Sequence, residues 1–441
     1  MPTPSLILVP ARFKTGKLYT PLATTSDGTV LGASGDFNVT RATTATRVNA
    51  SGLIELVASG IPRLDYLASG GTVGCPALLV EPSGSNLAFH SSDWTSNWNA
   101  GVASGTTLVT NSALSLAPDG TATANEVYPT SGNTNHLRLS NSTTAITYVS
   151  GTVYTQSAFF KAGVGVGIRV QLNNTSARFS QLGYANFDLI NGLVSVVSGT
   201  SADTNRSARI ENYGNGWYRC SYTATCTSDG TGIGVIATLI AASGDTRSPS
   251  FSGTVTDYLL GWGAQLETGS VATSYIPTTT GSVTRNADVI SVSGAVSGSI
   301  GQASGTIYAE VDVRNLAIET YIIRIDEGAS SNIISLRKLN TNQIRTAIVA
   351  PTTSGTLNIS SAAFTAGIIK IAFAYKSGEI ALSVNGATAL TANGTFAFGA
   401  SLNRITLGSN ASASSEFNDR IRAVALYTTR LSNAELAALT T

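Results

Sequence analysis

From Thr306 to Arg314 the chain reads Thr-Ile-Tyr-Ala-Glu-Val-Asp-Val-Arg. An extended strand places Ile307, Ala309, Val311 and Val313 on one side and Tyr308, Glu310, Asp312 and Arg314 on the other. The same period of two returns at Ile369, Ile371, Phe373 and Tyr375. After a Lys376-Ser377-Gly378 turn it resumes at Ile380, Leu382 and Val384 and ends in Asn385-Gly386, a strong hairpin signal. Upstream, Tyr154, Gln156, Ala158 and Phe160 form one strand face and Ile168, Val170 and Leu172 the next. Tyr218, Cys220, Tyr222, Ala224 and Cys226 follow a Gly214-Asn215-Gly216 turn, and Tyr258, Leu260, Trp262, Ala264 and Leu266 form the last face. Parallel strands need crossover connections, usually helical, and no helix of normal length interrupts these runs. The pattern therefore predicts an all-β fold, with two antiparallel β-sandwich (jelly-roll) domains in tandem. An extended, turn-rich N-terminal segment precedes them. One short helix closes the chain, at Leu431 to Leu436, where Ser432 and Glu435 have capping-box spacing.

Composition shifts divide the chain. Residues 1–90 are rich in turn formers, at Ser26-Asp27-Gly28, Ser34-Gly35-Asp36, Ser69-Gly70-Gly71 and Pro82-Ser83-Gly84, and have little core of their own. Such a segment is expected to lie against the next domain or a partner subunit, as an attachment or assembly segment. Residues 91–276 form the first sandwich, 277–300 a linker rich in Thr, Ser and Gly, and 301–441 the second sandwich. Val283-Thr284-Arg285 in the linker echoes Val39-Thr40-Arg41, a weak hint of a repeat.

The 441 residues are 42% hydrophobic and 12% charged, enough apolar material for packed cores. The longest apolar stretch, Gly232 to Ala242, falls short of the roughly 18 residues that span a bilayer, so no membrane partner is expected. Met1 to Pro10 has no basic residue before its apolar run and does not read as a secretory signal. A net charge of +1 without a basic stripe argues against nucleic acid. Three cysteines, Cys75, Cys220 and Cys226, build no disulfide framework and read as three small buried thiols. With only His90 and His136, a zinc site or a Ser-His-Asp triad lacks raw material. Gly163-Val-Gly-Val-Gly167 has no following Lys-Ser/Thr and reads as a hairpin turn, not a phosphate loop. Glycan cleavage needs two carboxylates about 5 to 9.5 Å apart. The acids here are scattered, and Asp257, Glu267, Asp326 and Glu327 read as strand-face and turn residues. No enzyme is expected. Trp94 and Trp98, four apart in a loop-like stretch, could flank a glycan groove or staple the N-terminal segment to the first sandwich. Trp262 reads as core, while Trp217 is left between core and interface.

Several stretches carry a resemblance. Arg41 to Glu55, Pro62 to Tyr66, Cys75 to Pro82 and Asn86-Leu87 resemble the N-terminal region of tailed-bacteriophage virion proteins that form fibres, spikes or decorations. Gly216 to Ser221, Gly263 to Glu267, Thr273 to Pro277 and Val283 to Arg285 resemble a phage head-spike or fibre domain, a jelly roll similar to carbohydrate-binding modules. Ile380 to Gly386, Arg404 to Gly408 and Arg420 to Leu436 resemble concanavalin-type or laminin-G-type sandwiches. The resemblance implies a non-enzymatic structural protein at the surface of a virion, made in the cytoplasm of the bacterial host. Its partners would be capsid or tail proteins, further copies of itself in a homo-oligomer such as a trimer, and host-surface glycan. The alternative is a glycan-binding tip of a tail fibre, and the last in order a polysaccharide depolymerase. No catalytic cofactor is implied. Related carbohydrate-binding folds often hold a structural calcium, for which Asp119, Glu126 and Asp257 are the candidate ligands.

Overall fold

The computed structural model describes residues 2–20, 23–24, 30–31, 35–96, 98, 105–130, 132–139, 146–173, 178–179, 183–198, 206–316, 318–410 and 415–441. The turn expected at Ser26-Asp27-Gly28, and Ser34 of the next one, lie outside the described residues. Strand pairing is antiparallel throughout the two sandwiches, and among the described residues the single α-helix is Asn433–Thr440. No described helix is long and apolar enough to cross a membrane.

The central sandwich packs a six-stranded sheet on a five-stranded one. The larger runs Thr106–Val109, Asn125–Pro129, Tyr258–Thr268, Val153–Val164, Trp217–Thr225 and Ser207–Asn212. The smaller runs Leu137–Leu139, Ile236–Leu239, Arg169–Asn173, Tyr184–Asp188 and Leu193–Ser198. Tyr154, Ala158 and Phe160 meet Val170, Leu172 and Phe187 between them, as the period of two requires. The face written from Tyr258 to Leu266 does not hold its phase. Leu260 and Trp262 point out of this core, whereas Ala264 and Leu266 point into it. A register shift opposite Ser157 and Phe159 inserts a bulge, with Gly263 at a φ of 63°.

The glycine run also differs from expectation. Val153–Val164 and Arg169–Asn173 lie in different sheets, so Gly165–Ile168 is a 3-10 connection between layers and no hairpin. A Cβ on Gly163 or Gly167 would collide with the carbonyl of Tyr258, which accounts for glycine at both places.

The terminal sandwich is assembled from both ends of the chain. Its first sheet runs Leu390–Ala392, Ile380–Val384, Gly367–Lys376, Ser304–Val313, Asp419–Tyr427, Val73–Val80 and Leu64–Leu67. One edge of Asp419–Tyr427 is shared, with Leu6 opposite Leu426 and Leu78 opposite Ile421. The second sheet begins with Phe13–Lys14, Lys17–Leu18 and Phe37–Thr40. It continues through Val289–Ser293, Arg404–Leu407, Thr320–Asp326, Ile333–Lys338, Ile344–Val349 and Asn358–Ser360. Leu8, Phe37, Leu78 and Val80 thus share one core with Ile307, Ile371, Phe373 and Ile405. The stretch 277–300 contributes the inner strand Val289–Ser293, which pairs on both sides.

The closing helix starts as its sequence predicts. The Ser432 hydroxyl accepts from the Glu435 amide, and the Glu435 carboxylate accepts from the Ser432 amide at 2.8 Å. Leu436 then packs on the small residues Ala372, Ala374 and Ala381. Cys220 and Cys226 are buried, with burial pushing both thiols up, but Cys75 is exposed. The pairing of Val73–Val80 with Leu64–Leu67 is interrupted between Val73 and Ala77, and Cys75 sits in that irregular stretch before Pro76.

Candidate functional site

The stretches that suggested a virion protein converge on one buried ionic joint. Thr40 pairs with Val289, so the residues one step beyond, Arg41 and Asp288, face each other, and Arg41 Nη1 donates to Asp288 Oδ1 at 2.9 Å. Leu64 pairs with Leu78 on adjacent strands, which brings Arg63 near Glu81, and Arg63 Nη1 donates to Glu81 Oε2 at 2.6 Å. Arg63 also pairs with Asp288, and Arg285 lies 3.5 Å from Glu81. From the central sandwich, Ser274 donates its amide and its hydroxyl to Glu81 at 2.7 and 2.6 Å. Burial raises the Glu81 carboxyl, but Arg63 and Arg285 outweigh it and hold the group well below the usual carboxylate range. Glu267 stays in the opposite regime. Burial pushes its carboxyl up, and Thr273 and Gln265 satisfy it.

A second set of charges continues the joint toward the surface. Arg420 donates to Asp65 at 2.8 Å, Arg209 to Glu211 at 2.6 Å and to Asn315 at 2.8 Å, and Arg314 to Asp312 at 2.7 Å. Between Glu81 and the second set, a cavity beside Asp65, Glu211, Asp419 and Arg420 has about 40 Å³, room for a few waters and too little for a sugar. The inner carboxylates, Glu81 and Asp288, are paired with arginines and buried, an arrangement suited to fixing orientation, whereas burial pushes the Asp419 carboxyl up to about 7.

Beside the joint lies an apolar seam. Val48 and Ile54 of the hairpin Ala45–Val48/Ile54–Val57 pack with Phe159, Trp217, Leu260 and Trp262 from the outer face of the central sandwich. Trp217 is therefore an interface residue, with its indole N–H donating to the Leu116 carbonyl at 3.0 Å. Where the seam meets the surface, a groove of about 360 Å³ opens between Leu53, Leu116, Pro118, Tyr213, Asn215 and Trp217. The sequence signal that could have found it is the pair of positive-φ turns, Gly214-Asn215-Gly216 and Pro118-Asp119-Gly120, flanking aromatic and leucine residues.

The residues proposed from the sequence lie elsewhere. Trp94 and Trp98 stack at 4.6 Å inside the central sandwich, 0% and 5% exposed, and Trp94 meets Phe160 edge-on. Both rings belong to the core of the central sandwich. Asp119 accepts from the Thr121 amide at 3.0 Å and hydroxyl at 2.7 Å. Glu126 is buried and takes hydrogen bonds from Ser112 and from Tyr128, the latter at 2.6 Å. Asp257 lies against Gly165. Among the described residues no group of three or more His, Cys, Asp and Glu side chains is placed to hold a metal ion. Asp326, expected at a turn, is fully buried between Arg324 at 2.5 Å and Arg404 at 2.7 Å.

Residues 284–437 match a family model described as the concanavalin A-like lectin/glucanases superfamily. No curated protein matches. Among solved structures, the chain is similar to the CBM40 domain of the Ruminococcus gnavus IT-sialidase bound to α2,6-sialyllactose. That likeness has 14% identity and a TM-score of 0.28, covering 34% of this chain and 92% of that one. It is also similar to the binding domain of botulinum neurotoxin DC in complex with rat synaptotagmin II, at 10% identity and a TM-score of 0.28, covering 35% and 40%. A third likeness is to Trypanosoma rangeli sialidase, at 12% identity and a TM-score of 0.28, covering 64% and 52%.

Proposed function

We propose that the chain is a non-enzymatic, glycan-binding protein displayed on a tailed-bacteriophage particle, its two sandwiches forming one platform. The observation that carries the binding reading is the lectin-type sandwich matched over residues 284–437. Placement on a particle rests on the resemblance of the joint-forming stretches to virion proteins. The glucanase half of the matched family would call for a pair of acids facing a cleft. Glu81, Asp288, Asp326 and Glu267 are instead each buried and hydrogen-bonded, which favours binding over cleavage. Residues 6–8, 37–40 and 73–80 are built into the terminal sandwich, which supports attachment to capsid or tail proteins through surfaces other than these strands. A glycan array probed with the full chain tests the reading. Selective retention of some glycans, recovered uncleaved, is expected. Retention of none rejects binding, and new reducing ends on incubation with host capsule would reassign the chain to the cleaving half of the family.

A further inference from the structure

We infer that the Asp419 carboxyl is a proton-operated latch on the contact between the two sandwiches, shut while it is protonated and loosened when it ionises. Asp419 opens the strand Asp419–Tyr427 and is 1% exposed. Its carboxyl accepts the Arg314 amide at 2.8 Å and the Asn315 amide at 3.2 Å. Both of those residues reach across to the central sandwich. The Asn315 side-chain oxygen accepts from Arg209 at 2.8 Å, and Arg314 lies 3.7 Å from Glu211. A group that fixes the backbone of Arg314 and Asn315 therefore also fixes this contact.

The charged groups around Asp419 are bound to other partners. Arg420 is held by Asp65, Arg209 by Glu211, Arg314 by Asp312 and Arg63 by Glu81. Arg219 donates to the Thr273 carbonyl and Lys338 to the Ile318 carbonyl, while burial pushes the Tyr213 hydroxyl up and keeps it neutral. An ionised Asp419 is thus a buried charge compensated by two amides and by cations engaged elsewhere, an arrangement that favours the neutral form. Burial outweighs the amides, Arg209 and Lys338 and pushes the carboxyl up to about 7. The adjoining cavity of about 40 Å³ gives an ionised carboxylate a place to draw water in. Because the folded carboxyl lies above its ordinary value of 3.8, its contribution to closure is full below that pH and is lost as pH rises through 7. Lys338, whose amine burial lowers to about 8, keeps its charge below pH 7 and does not blur the change.

Hydrogen exchange of the full chain at pH 5 and pH 7, followed by mass spectrometry and corrected for the intrinsic rate at each pH, tests the latch. Opening of the peptides that carry Arg314–Asn315 and Ser207–Asn212 should rise by at least about ten-fold from pH 5 to pH 7, with the core strand Gly367–Lys376 unchanged. Asp419→Asn keeps an oxygen for both amides and cannot ionise, so it should remove that rise. A wild-type chain with no rise overturns the inference, and so does a rise that persists in Asp419→Asn. A rise confined to Arg314–Asn315 would make Asp419 a loop anchor with no hold on the central sandwich, and one shared equally by Gly367–Lys376 would make it a part of global stability; either result overturns the latch. If Asp419→Asn does not fold, these wild-type comparisons decide alone.

Discussion

Within the terminal sandwich, Leu8, Phe37 and Val80 from the first 80 residues meet Ile290, Ile307 and Ile421 in an apolar layer. At the joint between the sandwiches, Arg41, Arg63 and Arg285 meet Glu81 and Asp288. Both contacts join segments remote in sequence, but they are different kinds of contact. Apolar burial is non-directional and scales with area, so the layer supplies stability and tolerates exchange among similar side chains. Buried ion pairs gain little net stability over apolar packing but penalise any misplacement of one partner. The layer holds the terminal sandwich together, and the joint ties its strand ends to Ser274 of the central sandwich.

The comparison can be broken at several levels. Residues 284–441 produced alone lack the strands Leu6–Leu8, Phe37–Thr40 and Val73–Val80. They are expected to show no cooperative unfolding transition by circular dichroism, because Ile290, Ile307 and Ile421 lose their cover. At the next level, Arg63→Ala should cost about 3–5 kcal/mol in chemical denaturation, since it leaves Glu81 and Asp288 buried with one cation fewer. Replacing Arg63, Glu81 and Asp288 together with apolar residues of similar volume should cost far less. If the single and triple changes cost the same, the joint is a stability element after all.

Glu81→Gln sharpens the point through pH. The folded carboxyl lies below its unfolded value, so its contribution is present above the unfolded pKa of about 4.5 and is lost as pH falls below that. The variant should therefore be less stable at pH 7 and show a shallower decline in melting temperature on acidification than the wild type. The smallest expected effect is at the closing helix, where Ser432→Ala removes one cap and should cost about 1 kcal/mol, read from thermal melts.

The apolar layer was legible in the sequence because its information is local. Ile307, Ala309, Val311 and Val313 announce their face by spacing alone, and Ser432 with Glu435 announces the helix start. The joint was not legible, because Arg63 and Asp288 are 225 residues apart and no local period links them. Strand pairing supplies that link, and only after Thr40 meets Val289 does Arg41 face Asp288. Trp262 shares a buried face with Tyr258 and Leu260 as its spacing indicates, but Ala264 and Leu266 do not share it, since the bulge at Gly263 inverts the positions after it. Trp94 and Trp98 had the spacing of a platform, and a loop-like sequence gave no sign that the pair folds inward. The groove at Trp217 needed three segments to be brought together before it existed.

Native-state hydrogen exchange on the intact chain tests most directly whether the N-terminal residues are part of the terminal sandwich. The account predicts that the amides of Phe37–Thr40 and Val73–Val80 that are bonded in the sheets exchange with the same protection as those of Val289–Ser293 and Asp419–Tyr427, their pairing partners. Free exchange in the two N-terminal strands beside a fully protected Val289–Ser293 would contradict it.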